Sequence, residues 1–117
     1  MDIYDRDGNP ISVREWSRLH DDPEYMRVDE TELDGIWIST VWLGHGHSFG
    51  FGDRPLIFET MVFDRHNQPR PGLQAMDEFT RRYSTEEEAE AGHLEVVQEL
   101  KVLLASVDVP TTEGIDT

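Results

Sequence analysis

Ile36-Trp37-Ile38-Ser39-Thr40-Val41-Trp42-Leu43 is the stretch on which the fold turns. It is rich in β-branched and aromatic residues and apolar at odd and even positions alike, the pattern of a strand covered on both faces and hence central in a sheet. Just before it, Asp34-Gly35 offers a hairpin turn, and Met26 and Val28 alternate with charged residues on the approach. Just after it, residues 44–54 are glycine-rich and too irregular for a strand. Pro55 opens a second strong strand over 56–63. A polar, proline-containing loop over 64–74 then leads to a third strand at 76–83, with Phe79 and Tyr83 on one face.

Two helices bracket these strands. Ser12 with Glu15 three residues on forms a capping box, and Ile11 can staple against Trp16. Val13, Trp16 and Leu19 share one face, and Asp22-Pro23 ends the segment, which predicts a helix over 13–21. Ser84 or Thr85 caps the second helix, with Glu87 or Glu88 completing the box. Ala89, His93, Val96, Val97, Leu100, Leu103 and Leu104 form its apolar stripe. Residues 108–117, with Pro110 and Gly114, read as a flexible tail behind a single domain over 1–107. The expected fold is α+β, an antiparallel sheet of three to four strands with two helices packed on one face.

Composition narrows the function classes. The chain has 117 residues, 37% of them hydrophobic, which suits one packed domain. It has no cysteine, so any metal site must use His, Asp or Glu. There is no apolar run long enough for a membrane span, and Met1-Asp2-Ile3-Tyr4-Asp5 does not read as a signal peptide. Ten basic residues face 25 acidic ones, giving a net charge of −15. Residues 1–34 hold eleven acids and four bases, 84–117 nine acids and one base, and 35–83 five of each. Nucleic acid is thus an unfavourable partner, because affinity for phosphates comes from Lys and Arg. The acidity either solubilises the surface or mimics a nucleic acid's charge so as to occupy a basic groove on another protein. In the second case Glu86, Glu87, Glu88 and Glu90 are the candidate protein-binding residues.

Three clusters could carry chemistry. His45 and His47, at i and i+2 in the glycine-rich stretch, point the same way on an extended chain and could chelate a metal. The plainer reading is a hairpin loop whose Phe49 and Phe51 fold back on the sheet. Glu59 stands in an otherwise apolar strand, where it needs a partner, and a cross-strand pair with Arg81 or Arg82 is expected. His93 lies on the apolar stripe of the second helix and reads as a satisfied core histidine. Gly92 beside it points to close packing of helix on sheet. If His47, Glu59 and His93 converged, they could serve a metal- or His-dependent hydrolase. No spacing demands it, so no catalytic residue, metal or cofactor is expected. Asp5, Asp7 and Asn9 resemble the start of a calcium loop, but Pro10 and Trp16 stand where glycine and glutamate are needed, which leaves a turn.

Three segments also carry a resemblance: Ser39-Thr40-Val41-Trp42-Leu43-Gly44 with His47 and Phe49; residues 55–63, Pro-Leu-Ile-Phe-Glu-Thr-Met-Val-Phe; and residues 82–93, Arg-Tyr-Ser-Thr-Glu-Glu-Glu-Ala-Glu-Ala-Gly-His. Together they resemble small proteins of tailed bacteriophages and prophages, especially of actinobacteria. By position His47, Glu59 and His93 match the family's His, Glu and His. Gly46 and His45 depart from its usual Asp and Leu. The resemblance implies provenance and not mechanism. The expected function is that of a small non-catalytic accessory protein in the host cytoplasm, acting by contact with a host or viral protein and interfering with its function. A minor virion component is the other non-catalytic expectation.

Overall fold

A computed structural model describes residues 2–46, 54–64 and 74–116, with side chains in the last helix described as far as residue 105. In chain order the elements are α1 (Val13–His20), α2 (Pro23–Met26), β1 (Arg27–Leu33), β2 (Ile36–Trp42), β3 (Phe58–Asp64), β4 (Gln74–Ala75), a 3-10 turn (Asp77–Phe79), β5 (Arg81–Tyr83) and α3 (Glu86–Asp116). The sheet is antiparallel in the order β1-β2-β3-β4, and β5 pairs β3 at the other end from β4. The fold is therefore α+β, with β4 and β5 sharing the fourth position of the sheet.

The central-strand reading of β2 holds. Its residues alternate between buried and half-buried, with Ile36, Ile38, Thr40 and Trp42 buried, and it pairs β1 on one side and β3 on the other. Asp34 and Gly35 make the hairpin turn with φ of 48° and 84°, a conformation that Asp and Gly tolerate better than most residues.

The third strand predicted over 76–83 is instead broken by the 3-10 turn. Met76 and Phe79 both pack on the core, and residues three apart share a side in a 3-10 turn but not in a strand. The tighter turn therefore wins.

Helix starts follow their caps. Ser12 accepts from the Glu15 amide at 3.1 Å, but the Glu15 carboxylate turns to Arg18 instead of closing the box. Asp22 does more than end α1: its carboxylate accepts from the amides of Glu24 and Tyr25 and so caps α2, with Pro23 at the first position. Thr85 and Glu88 form the full reciprocal box at α3. The Asp5 turn closes on its own amides, Asp7 and Asn9 donating to Oδ1. The helical path of α3 continues over 108–116, the stretch that reads as a tail.

Among the described residues the core has two apolar clusters. One joins Ile36, Ile38 and Val62 of the sheet to Val96, Val97 and Leu100 of α3. The other joins Leu19 of α1 to Trp42, Ile57, Phe58 and Ala89. Both clusters use the same alternate set of β2 and β3 residues. Two residues assigned to apolar faces are exposed: Val13, on the first turn of α1, at 64%, and Leu103, at 44%, although its neighbour Leu104 packs on the first cluster.

Candidate functional site

Between the two apolar clusters lies a polar layer. On β2 the order is Ile38, Thr40, Trp42; on β3 it is Phe58, Thr60, Val62; on α3 it is Ala89, His93, Val96. Among the described residues, Thr40, Thr60 and His93 are the buried polar ones, all fully covered. Such groups are costly to bury without partners, and here each has one. His93 Nδ1 lies 2.7 Å from Thr40 Oγ1, and Nε2 lies 2.9 Å from Thr31 Oγ1. Thr40 Oγ1 is 2.5 Å from Thr60 Oγ1, which is 3.0 Å from the Tyr83 hydroxyl. The result is one chain, Thr31–His93–Thr40–Thr60–Tyr83, drawn from α3 and from β1, β2, β3 and β5.

Asp29 Oδ2 is 3.8 Å from His93 Nε2. Burial holds the imidazole below its ordinary pKa, and Asp29 only partly offsets this. Burial likewise pushes the Tyr83 phenol up, against the Thr60 hydrogen bond. At neutral pH both groups are uncharged. The geometry is not that of a nucleophilic triad. Hydroxyl and carboxylate share the same ring nitrogen, the second nitrogen holds another threonine, and the ring is sealed from solvent. The arrangement braces helix against sheet.

The other sequence candidates fall elsewhere. Glu59 alternates with Phe58 and Thr60, so it projects from the sheet face opposite His93. It pairs Arg82 at 3.0 Å, the cross-strand partner expected of it. The structure thus does not bring Glu59 and His93 together. His47 lies outside the described residues, as do Phe49, Phe51 and His66. His45 bridges Ile3 and meets the edge of Trp16. No group of three or more His, Asp or Glu residues with metal-holding geometry occurs among the described residues.

The acidic residues in the first turns of α3 divide into two sets. Glu86 pairs Arg6 at 2.7 Å and Glu88 pairs Arg54 at 3.2 Å, joining the helix start to the N-terminal turn and to the segment before β3. Burial disfavours the Glu88 carboxylate, but the Ser84 and Thr85 amides and Arg54 outweigh it and keep its pKa below the ordinary value. Glu87 and Glu90 stand exposed, with no ion pair among the described residues.

Sequence reasoning missed a cluster of rings around Gly44. Trp16 Nε1 donates to the Leu43 carbonyl at 2.9 Å, and His20 Nε2 lies 2.8 Å from the same oxygen. His20 packs on Trp16 and Trp42, and Tyr25 meets Trp42 edge-on. A β-carbon on Gly44, which has φ of 84°, would stand 2.6 Å from Trp42 and 2.7 Å from Trp16. The available signal was weak: a glycine directly after a tryptophan-bearing strand. Comparisons with protein-family models, curated proteins and solved structures find no match.

Proposed function

We propose that this chain is a small acidic accessory protein of the phage type. In this reading it works in the host cytoplasm by docking on a basic surface of a host or viral protein, and so interferes with what that surface normally binds. The observation that carries the reading is how the charges are used. Arg6, Arg18, Arg27, Arg54, Arg81 and Arg82 each hold a glutamate of the same chain. Glu87, Glu90 and Glu95 stand exposed along α3, as do Asp21, Asp22 and Glu24 around the start of α2. With a net charge of −15, the field of the surface attracts cationic partners and repels phosphates. The sealed His93 layer supports a binding role over a catalytic one, since its imidazole reaches no open cleft.

Capture from host lysate on the immobilised chain, followed by washing with duplex DNA, tests the proposal. A basic protein released by the DNA supports it. Retention of only neutral or acidic proteins, unmoved by DNA, refutes it.

A further inference from the structure

The polar layer has a property separate from any docking surface. His93 is fully buried with both ring nitrogens engaged, and its partners stand on β1 and β2 and lead on to β3 and β5. A neutral imidazole has one N–H donor and one acceptor. The hydroxyls satisfy it by donating and accepting in one direction along the chain. An added proton makes both nitrogens donors. Thr31 and Thr40 must then both accept, and Thr40 and Thr60 must pass their own protons toward Tyr83. The hydroxyls can turn to do this, so hydrogen-bond geometry does not prevent protonation. The obstacle is a positive charge in the seam between two apolar clusters.

Among the described residues, the charged groups able to compensate that cation are few. From β1 comes Asp29, at 3.8 Å, with its side chain 42% exposed and its field screened by water. From β5 comes Tyr83, uncharged in this range. β2 and β3 contribute only Thr40 and Thr60, and on α3 itself the acid one turn away, Glu90, points to solvent. Release of α3 from the sheet would hydrate the imidazolium fully. We propose that the His93 chain is a proton-operated latch, which holds α3 on the sheet while the ring is neutral and loosens it as the medium acidifies.

The sign follows from linkage. Burial depresses the folded-state pKa of His93. The released state therefore takes up the proton first, and the latch weakens as pH falls below about 6.5, the ordinary value for histidine. Above that pH its contribution is fully present.

The test follows the imidazole resonances of His93 and the exchange protection of α3 amides in the intact chain between pH 7.5 and 5, beside His93→Gln. The wild-type ring should titrate below about 6.5. Protection at Ala89, Val96 and Leu100 should fall several-fold by pH 5.5, toward the limit of about tenfold set by protonation of the released imidazole alone. Protection in His93→Gln should change far less. A wild-type ring that titrates at the ordinary value, or stays neutral with α3 protected down to pH 5, overturns the latch. So does an equal fall in His93→Gln. If that variant does not fold, the wild-type titration and protection decide alone.

Discussion

Gly92 lies directly against the ring of Tyr83, so that a β-carbon at position 92 would overlap the ring edge and the hydroxyl. Glycine in the middle of a helix costs about 1 kcal/mol relative to alanine. The cost is accepted here because α3 must approach β5 closely enough for the Tyr83 hydroxyl to reach Thr60 at 3.0 Å.

Gly92→Ala should therefore destabilise the protein despite the better helix propensity, because the overpacking penalty of about 1–3 kcal/mol outweighs the gain. In a Tyr83→Ala background the same substitution should be neutral or stabilising. Chemical denaturation of the four proteins of this cycle measures the coupling. Additive effects would mean that glycine is required for some other reason.

Trp42 is fully buried in the second cluster, and its Nε1 donates to the Tyr4 carbonyl at 3.0 Å. Trp42→Ala should cost about 3–5 kcal/mol in equilibrium unfolding. A loss below about 1 kcal/mol would show that β2 does not face the core as described.

Thr40→Val keeps the shape but removes the hydroxyl that joins His93 to Thr60. Two buried groups lose a partner, so stability should fall by about 1–3 kcal/mol. Thr31→Val should cost less, because Thr31 is half-buried and water can replace its hydroxyl. Thermal unfolding of the two variants gives the order, and equal losses would argue against a sealed layer.

Glu88→Gln should lower the melting temperature more than Glu87→Gln, since Glu88 closes the helix cap and pairs Arg54 while Glu87 is exposed. Glu86→Gln should fall between them, because a partly exposed ion pair such as Arg6–Glu86 is worth about 1 kcal/mol or less. A melting-temperature series reads this order directly.

The purified, untagged chain should carry no stoichiometric zinc or manganese, although it contains five histidines. Elemental analysis checks this. One equivalent of metal, lost in the His47→Ala, His93→Ala double variant, would replace the docking account with a hydrolase.

Much of the fold was legible because strong local signals agreed with the tertiary result. The β-branched and aromatic run of β2, the Asp34-Gly35 turn and the caps at Ser12 and Thr85 each fix structure through neighbours in sequence. Elements decided by distant partners were less legible. The break between β4 and β5 depends on Met76 and Phe79 both reaching the core, and the exposure of Leu103 beside the packed Leu104 depends on how α3 is rotated over the sheet. At the candidate site, burial of His93 and the Glu59–Arg82 pair followed from periodicity. The threonines did not, because a threonine in a strand reads the same whether it faces water or a buried imidazole.

The docking account is tested most directly by the affinity of the captured partner for the wild-type chain and for the Glu87→Gln, Glu90→Gln double variant at two salt concentrations. The account predicts wild-type binding that weakens about tenfold or more between 50 and 200 mM salt, and a variant that binds more weakly with a shallower dependence while melting at the same temperature. Wild-type affinity that is indifferent to salt and unchanged in the variant would contradict it.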